Sequence, residues 1–381
     1  MKVDVIRWDE GSGWSIASET IADKSKAQLV IFFASPKFYK NKVGTEYLRT
    51  RYPNAQLVGC STGGEILKGD ALDNAVVASA VEFANTPIAS ASVSLKDGMS
   101  SHDAGAALAK ALLKDDLRHI YILSDGIKVN GSELVKGLLG NLPPKITLTG
   151  GLAGDGADFG KTFVTLGDVT DSQMVAAIGF YGKGVKIGYG SIGGWDAFGP
   201  ERIITRSQGN ILYELDNQPA LELYKSYLGD EARSLPGSGL LYPLAIRANK
   251  ESAHELVRTI VGVDEANQSL TFAGDVTQGY VSRLMKGNFN NLVDGAMQAA
   301  DLARKNANEG DALVLSVSCI GRKLLLGQRI SDETEIINEV MSGKVPLIGF
   351  YSYGEICHHA FTNQCDLHNQ TMTITYISES V

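Results

Sequence analysis

The sequence predicts an α+β protein in which mixed β-sheets pack against helices. Two observations lead to this fold class. One plan, consisting of a strand, a helix, a strand, a glycine-acid loop and further strands, occurs three times along the chain. In addition, helices and hairpins occur in mixed order, whereas a doubly wound sheet would show strict alternation of strands and helices. The repeated unit indicates a scaffold built by duplication, with two related domains in which equivalent loops can converge on a pocket.

The three copies are recognised by a glycine-acid signature that follows the second strand of each copy. Residues 56–66 read Q-L-V-G-C-S-T-G-G-E-I, and residues 346–356 read P-L-I-G-F-Y-S-Y-G-E-I. The middle copy, residues 148–156, reads L-T-G-G-L-A-G-D-G and is one residue shorter before its acid. Three acids therefore share a register: Glu65, Asp155 and Glu355.

Strands are predicted where apolar residues form short runs or alternate with polar residues. In chain order they cover residues 29–34, 76–83, 89–95, 120–123, 173–181, 185–189, 313–317 and 372–377. Helices are predicted where apolar residues recur with the helical period. In chain order they cover residues 101–117, 132–139, 220–228, 292–307 and 333–341. The 42 glycines, concentrated in short loops after apolar runs, indicate tight connections between many strands.

Length and composition limit the class of protein. A chain of 381 residues is expected to form about two domains, and a boundary near residues 210–217 divides it into residues 1–215 and 216–381. The net charge of −8, without a basic block, argues against binding to nucleic acid or to an anionic membrane surface. The apolar runs are too short to span a bilayer, and the charged first ten residues do not resemble a secretory signal. Because the four cysteines are mostly scattered, we expect a reduced, cytoplasmic protein.

Two glycine motifs resemble catalytic or cofactor-binding patterns without the structural context that those patterns need. Residues 59–63 fit G-x-S-x-G, with Ser61 or the adjacent Cys60 as nucleophile, but an alternating apolar run follows where a helix is required. Residues 188–193 fit G-x-G-x-x-G, but turn residues follow where a dinucleotide site needs a helix N-terminus. Tight loops explain both motifs. We therefore predict that the protein is not an enzyme; the alternative is an enzyme, such as a hydrolase, with Cys60, Cys319 or Ser61 as its nucleophile.

A cluster of possible metal or haem ligands follows the last signature. Within twelve residues it holds three of the six histidines and two of the four cysteines, namely Cys357, His358, His359, Cys365 and His368. Nitrogen and sulfur donors of this kind can hold zinc or a haem iron, although the spacing fits no common zinc module. The alternative is a polar loop whose histidines form ordinary hydrogen bonds.

The shared acids, an arginine and the signature loops provide further candidates for contact with a ligand. A buried signature carboxylate can bind an amine of a ligand, or it can accept hydrogen bonds from N–H groups of its own glycine turn. Arg322, near the end of an apolar strand, can clamp a carboxylate or a propionate, and a surface salt bridge is the alternative. The predicted ligand-binding residues are Cys60, Ser61, Thr62, Glu65, Cys319, Arg322, Tyr351, Tyr353 and Glu355.

Taken together, these segments resemble the FIST family, whose paired N- and C-terminal domains occur in bacterial signal-transduction proteins. The matching residues are 58–66 (V-G-C-S-T-G-G-E-I), 149–155 (T-G-G-L-A-G-D), 210–224 (N-I-L-Y-E-L-D-N-Q-P-A-L-E-L-Y), 274–279 (G-D-V-T-Q-G), 318–322 (S-C-I-G-R), 349–356 (G-F-Y-S-Y-G-E-I) and 368–371 (H-N-Q-T). They occur in this order over nearly the whole chain. The resemblance implies a FIST N-terminal domain over residues 1–215 and a FIST C-terminal domain over residues 216–381.

The resemblance also implies a sensor that binds a small molecule and acts in trans, since no output module is recognisable in the sequence. One branch of the family comprises haem-containing nitric-oxide sensors that control a histidine kinase or a cyclic-di-GMP enzyme. For that branch haem b is the predicted cofactor, with His358, His359 or His368 as its axial ligand and Arg322 or a lysine near a propionate. The alternative is a sensor of amino acids or other metabolites without haem, with its pocket between loops 60–65 and 351–355.

Overall fold

The computed structural model describes residues 1–40, 44–305, 311–360 and 362–380. More of these residues belong to β-strands, which are two to fourteen residues long, than to α-helices. In chain order the strands are β1 (Lys2–Asp9), β2 (Gly13–Ser18), β3 (Leu29–Ala34), β4 (Gln56–Ser61), β5 (Glu65–Leu67), β6 (Asp70–Leu72), β7 (Ala75–Glu82), β8 (Ile88–Ser94), β9 (Leu117–Ser124), β10 (Thr147–Leu152), β11 (Val164–Leu166), β12 (Val169–Asp171), β13 (Met174–Tyr181), β14 (Val185–Ile192), β15 (Trp195–Gln208), β16 (Ile211–Leu215), β17 (Gln218–Pro219), β18 (Leu244–Arg247), β19 (Glu255–Arg258), β20 (Ile260–Asp264), β21 (Ser269–Phe272), β22 (Val281–Gly287), β23 (Ala312–Cys319), β24 (Leu347–Ser352), β25 (Gly354–His358), β26 (Cys365–His368) and β27 (Met372–Glu379).

The α-helices of the described residues connect these strands. They are α1 (Pro36–Lys40), α2 (Glu46–Arg51), α3 (Ser101–Leu112), α4 (Gly131–Leu139), α5 (Ala220–Leu228), α6 (Phe289–Lys305), α7 (Ile320–Leu326) and α8 (Ile330–Val340). None of them is long and apolar enough to cross a membrane.

Three sheets share one order of six strands although their strands come from different parts of the chain, and sheet 1 has β2 as an additional edge strand. Sheet 1 is ordered β12-β11-β4-β3-β7-β1-β2, sheet 2 is β26-β25-β10-β9-β13-β8, and sheet 3 is β6-β5-β24-β23-β27-β14. In each sheet the first two strands of a repeat lie parallel, and its last strand returns antiparallel to the first. The predicted α+β class and its repeated unit are therefore confirmed.

The short hairpin after each signature leaves its own repeat and joins the sheet of another repeat. β5 of the first repeat pairs with β24 of the third, β25 of the third pairs with β10 of the second, and β11 of the second pairs with β4 of the first. This exchange links the three sheets in a closed cycle. Sheets 2 and 3 each contain strands from both sides of residue 215, so the predicted boundary there stays a prediction.

The inner faces of the three sheets form one apolar core. Alternate residues of the first strands, such as Phe33 of β3, Leu123 of β9 and Leu315 of β23, belong to a single buried cluster. The intervening residues face outward, where Phe32 packs against Phe38 of α1 at a ring-centroid distance of 6.0 Å. Strands such as β3, β9 and β23 are buried on both faces, so their sequences are nearly continuous apolar runs. For this reason their positions could be predicted from the sequence.

The first glycine of each signature is required by the close approach of two strands. A Cβ atom at Gly59 would lie 2.5 Å from the carbonyl oxygen of Phe32 on the parallel strand, and the equivalent distance is 2.1 Å between Gly349 and Ser316. Gly150 is closer still, at 1.9 Å from the Ile122 oxygen. The repeated glycine therefore has a structural cause that is independent of any ligand.

A fourth sheet of eight strands is inserted into the third repeat, between β14 and α6. Its order is β19-β18-β22-β15-β16-β21-β20, with β17 paired to β16. The equivalent connection in the second repeat, between β8 and α3, contains only residues 95–100. We call residues 195–287 the inserted sheet, and it supplies one wall of the candidate site.

Helix prediction was accurate in position and less accurate at the ends. Helix α5 covers the predicted residues 220–228, whereas α3 ends at Leu112 and not at residue 117. It ends early because a polar turn follows, in which Asp116 adopts a positive φ of 64°, before β9 begins. Helix α6 begins three residues before the predicted residue 292, and residues 306–307 of that prediction lie outside the described residues.

Candidate functional site

The three signatures meet at the centre of the molecule, as predicted, and they meet through their main chains. Each signature donates at least one N–H group to a carbonyl oxygen of another signature. Such hydrogen bonds run from Gly63 to Tyr351 (2.8 Å), from Tyr351 to Gly64 (2.9 Å), from Gly154 to Ser61 (2.9 Å) and from Tyr353 to Leu152 (3.1 Å). The centre is thus closed by backbone contacts, and space for a ligand lies beside it.

The signature glutamates fold back onto their own turns. Glu355 accepts a hydrogen bond from the Ser352 hydroxyl (2.5 Å) and another from the Thr371 N–H (3.1 Å). Glu65 makes the equivalent contacts with the Thr62 hydroxyl and with the Ala75 N–H (3.0 Å for the latter). Burial raises the pKa of both carboxyl groups to about 8. Of the two roles considered for these acids, the contacts correspond to the structural one.

Asp155, the acid of the middle copy, organises a loop. It accepts hydrogen bonds from the N–H groups of Gly160 (2.8 Å) and Lys161 (2.7 Å), and the Tyr353 hydroxyl donates to it as well. Phe159 lies within this loop, and its ring stacks on that of Tyr353 with centroids 4.7 Å apart. Asp155 therefore fixes an aromatic pair that forms one wall of the main cavity described below.

Arg322 is fully buried and forms an ion pair with Glu333 of α8, with Nε 2.8 Å from Oε2. Its other nitrogens donate to the carbonyl oxygens of Gly193 and Leu292 (2.8 Å for the latter). All three nitrogens are thus engaged by the protein, and Arg322 lines neither the main cavity nor the smaller crevice described below. The alternative of a surface salt bridge is wrong, because this ion pair lies in the core.

The possible nucleophiles are buried and lack activation. Burial raises the pKa of the Cys60 and Cys319 thiols, which keeps both sulfurs protonated and weakly reactive. The Ser61 hydroxyl accepts a hydrogen bond from the Phe163 N–H at 2.9 Å, and β5 follows where a nucleophile elbow would place a helix. The geometry gives no support to the hydrolase alternative.

The histidines after the last signature are held by the protein itself. His358 accepts a hydrogen bond from the Leu148 N–H at Nε2 (3.1 Å), and its Nδ1 lies 2.9 Å from the Asn363 oxygen. Nε2 of His368 lies 3.0 Å from the carbonyl oxygen of Cys357. Burial lowers the pKa of His358, and it lowers that of His368 to about 4, so both rings are neutral.

The third histidine of the cluster, His359, lies between two other imidazoles. Its ring centroid is 4.8 Å from that of His254 on the inserted sheet and 6.3 Å from that of His368. His358, His359 and His368 line neither of the two cavities described below, and no set of three or more metal-ligating side chains is placed to hold an ion within the described ranges. The contacts of His358, His359 and His368 therefore do not fit the role of an axial haem ligand.

The main cavity has a volume of about 410 Å³ and lies where the second repeat, the third repeat and the inserted sheet meet. The second repeat contributes Leu152, Phe159 and the loop that precedes α4, and the third repeat contributes Tyr353, Cys319 and Ile320. The inserted sheet covers these residues with side chains from several strands. They include Asn210, Leu240, Thr259, Val261, Thr271, Phe272 and Ala273.

Apolar and aromatic side chains dominate the lining, and few polar groups converge on it. Thr259 lines the cavity, the residue is only 3% exposed, and its Oγ1 is buried without a hydrogen-bond partner. Asn210 uses its amide nitrogen to bind the Phe272 oxygen at 2.8 Å. A mainly apolar cavity with a few placed polar groups is typical of small-molecule sites.

The inserted sheet is attached to the repeats through contacts next to this cavity. Arg258 donates to the carbonyl oxygen of Leu367 on β26 at 2.8 Å. Asp275 accepts hydrogen bonds from Asn130 (3.0 Å), the residue before α4, and from Lys136 (2.8 Å) in the last turn of α4. A ligand in the cavity would touch both attached parts, so its binding can change how firmly they are held together.

A smaller crevice of about 220 Å³ lies at the equivalent end of the first repeat. It is polar and includes Lys37, Lys40, Asp73 and Asp158, together with Ser35. Of the predicted ligand-binding residues, Thr62 and Glu65 line this crevice, and Cys319 and Tyr353 line the main cavity. The remaining ones lie in the core beside them, namely Cys60, Ser61, Arg322, Tyr351 and Glu355.

Sequence patterns missed most of the residues that line the main cavity. The segment 274–279 (G-D-V-T-Q-G) directly follows the lining residues 271–273, so it was the available signal for this part of the inserted sheet. Thr259 lies between two short strands and belongs to no motif. The burial of Thr259 and the missing hydrogen-bond partner of its hydroxyl group can be recognised only in the folded structure.

Comparison with known proteins finds a family whose models cover most of the chain. The model of the FIST N domain matches residues 28–218, and the model of the FIST C domain matches residues 220–358. Uncharacterized protein MJ1623 of Methanocaldococcus jannaschii is 24% identical over 388 residues, covering 90% of this chain and 72% of that protein. A solved cyanuric acid hydrolase from A. caulinodans matches with a TM-score of 0.20 and 9% identity, covering 78% of this chain and all of the other.

Proposed function

The chain belongs to the FIST family, and from this premise we propose that it is a small-molecule sensor whose ligand binds in the main cavity and which acts on a separate signalling protein. FIST domains indicate a sensory role, and both domains are present. The single observation that supports the site is the cavity of about 410 Å³ at the junction of two repeats and the inserted sheet. A volume of this size is typical of small-molecule sites.

Signal transmission follows from the position of the cavity between separately attached parts. A ligand that contacts Phe159 on the second repeat and Phe272 on the inserted sheet favours the arrangement in which both walls are close. At saturation, the equilibrium constant between the two arrangements changes by the ratio of the ligand's affinities for them. A partner that binds the inserted sheet would detect this shift.

The partner class and the ligand class are finer parts of this proposal. A histidine kinase or a cyclic-di-GMP enzyme is the partner that the family resemblance favours. Purified candidates of both classes can be assayed for activity with the protein, with and without ligand. A response that never depends on ligand would contradict the proposed output.

A haem-based nitric-oxide sensor is the version with the least support from the geometry. His358 and His368 use their ring nitrogens in hydrogen bonds to the main chain, and His359 faces other histidines and lines neither cavity. The visible spectrum after addition of haem tests this version. A Soret band that shifts on binding and is lost when the three histidines become alanine would support it against the present geometry.

The sensor proposal is tested by thermal unfolding in the presence of a metabolite panel. A ligand at a hundredfold excess over its Kd stabilises the folded state by about 2.7 kcal/mol. We expect Ala273→Leu, which fills the cavity, to abolish the stabilisation, and Ala266→Leu, on an exposed turn of the same sheet, to retain it. Equal stabilisation of both variants would place the ligand elsewhere and overturn the proposal.

A further inference from the structure

We propose that the main cavity binds a small carboxylic acid in its ionised form, with the carboxylate group at Lys128 and an apolar body inside the cavity. This inference rests on the proposed function and names the ligand class of the same site. It differs from an amino-acid ligand, because it includes no ammonium group. Three features support it: a cation in the lining without a counter-ion, a second cation behind the wall, and the apolar character of the remaining lining.

The charge of the lining is positive. Lys128 is the one charged side chain among the described residues that line the cavity. It forms no ion pair with any residue of the ranges 1–40, 44–305, 311–360 and 362–380. Because Lys128 is exposed at the margin of the cavity, its ammonium group can stay partly hydrated when a carboxylate binds. An ion pair in this position therefore has a small desolvation penalty.

The carboxylates of the protein near this margin are already engaged. Asp125 accepts hydrogen bonds from the Ile127 N–H (2.9 Å) and from the Thr162 hydroxyl (2.6 Å). Asp275 forms an ion pair with Lys136 at 2.8 Å. Neither acid lines the cavity, and no other carboxylate of the described residues does, so a ligand ammonium group would lose its water without gaining an ion pair. The lining therefore favours a monoanion over an amine or a zwitterion.

A second positive charge lies behind the wall of the cavity. Arg258 is 3% exposed, and a Cβ atom at the lining residue Gly274 would lie 3.2 Å from its Nε. Its Nε and Nη1 donate to carbonyl oxygens at 2.9 and 2.8 Å, and it forms no ion pair within the described part of the chain. The acids that act on it from farther away are Asp275 and Asp366, neither of which lines the cavity. A buried cation without an adjacent counter-ion makes this wall more favourable for an anion than for a cation.

The remaining lining suits an apolar body. The rings of Phe159 and Tyr353 stack with centroids 4.7 Å apart, and Phe159 is 40% exposed, so part of its apolar surface is available for contact. Leu240, Val261 and Phe272 of the inserted sheet lie among the residues that cover the cavity. An apolar ring or chain placed between these walls would remove their surface from water, which is favourable.

Three probes that share one skeleton test the assignment by calorimetry. Hydrocinnamate is a monoanion, hydrocinnamamide is its uncharged isostere, and L-phenylalanine adds an ammonium group next to the same carboxylate. We expect wild-type protein to bind hydrocinnamate about three- to tenfold more tightly than the amide, as one partly exposed charged contact allows, and this preference should shrink at high salt. We expect L-phenylalanine to bind at least about tenfold more weakly than hydrocinnamate. Hexanoate and hexanamide extend the comparison to a body without a ring.

Three variants connect the result to Lys128. In Lys128→Met, which keeps most of the stem and removes the charge, carboxylate and amide are expected to bind equally well, with the affinity for the amide unchanged. In Lys128→Arg, which keeps the charge, the preference for the carboxylate is expected to persist. Lys145→Met is the matched control, since it removes one positive charge from an exposed turn before β10 and should retain the preference. A preference that survives in Lys128→Met would overturn the assignment, and unfolding midpoints show that the variants are folded.

The outcomes separate this assignment from the proposed function. If the amide, L-phenylalanine or another compound without a net negative charge binds as tightly as the matched carboxylate, and Ala273→Leu abolishes that binding, the cavity is a ligand site and the anionic class is wrong. The class is likewise overturned if the cavity binds only uncharged, cationic or zwitterionic metabolites of the panel. If a different carboxylate of the panel binds there, comparison with its own amide in wild type and in Lys128→Met decides in the same way. If no compound binds in a way that depends on Ala273, both the assignment and the sensor proposal fail.

Discussion

Replacement of Glu355 by glutamine should change how the stability of the protein depends on pH. Burial raises the pKa of this carboxyl group to about 8, whereas the group titrates near 4.5 in the unfolded chain. The folded state therefore retains a proton that the unfolded state releases between these two values. Since the folded state binds more protons in this window, the contribution of Glu355 to stability falls as pH rises from about 4.5 to about 8.

The magnitude follows from the two pKa values. Between pH 5 and pH 7 the loss amounts to about 2.5 kcal/mol for one such group. Glutamine is uncharged at every pH and keeps an oxygen that can accept the hydrogen bond from the Thr371 N–H. Glu355→Gln should therefore gain about 2.5 kcal/mol relative to wild type over this interval, and Glu65→Gln should behave in the same way.

Urea unfolding at pH 5, 6, 7 and 8 measures this effect. The quantity to compare is the difference between variant and wild type, because the buried histidines His119 and His368 have lowered pKa values and make an opposite contribution as pH rises. The double variant should show about twice the change. A difference that stays constant from pH 5 to pH 8 would show that the carboxylate is already ionised in the folded state and would refute the reasoning.

Three further predictions concern the repeats and their core. Arg322→Met should destabilise the protein by about 3–5 kcal/mol in urea unfolding, because Glu333 is left as an unpaired buried charge, and the double replacement with Glu333→Leu should recover much of that loss. Gly349→Ala should lower stability by about 3 kcal/mol or prevent folding, whereas Gly237→Ala, with nothing within 4 Å of its Cβ position, should have little effect; equal effects would contradict the strand-contact argument. The four cysteine thiols are buried with raised pKa values, so a thiol reagent at pH 8 should label them in urea and leave the native protein unmodified, which mass spectrometry measures.

The sequence predicted the central strands of the three repeats because those strands are buried on both faces. Residues 29–34 read as an unbroken apolar run, and the structure forms β3 over the same residues. The short exchanged hairpins were not predicted. A hairpin such as β5 and β6 has only three residues in each strand, and its partner β24 lies far along the chain. Local periodicity carries no information about such a distant partner.

The site was only partly predictable, because its residues act through their surroundings. Tyr353 and Cys319 were proposed from motifs and line the main cavity. Arg322 was proposed to bind a ligand, but its guanidinium group forms an ion pair with Glu333 on the following helix. The two residues are eleven positions apart with a turn between their helices, so the sequence pattern does not reveal the pair. Thr259 carries no motif, since its distinguishing feature is an unpaired hydroxyl group.

Hydrogen–deuterium exchange tests the location of the ligand site most directly, when it is measured with and without a saturating compound of the metabolite panel that stabilises the protein. The main cavity is bounded by residues 126–131, by the loop around Phe159 and by residues 259–274 of the inserted sheet. The account predicts slower exchange in these three segments on addition of that compound, and unchanged exchange at residues 35–40 beside the smaller crevice. Protection confined to residues 35–40, or to surfaces outside the main cavity, would contradict it.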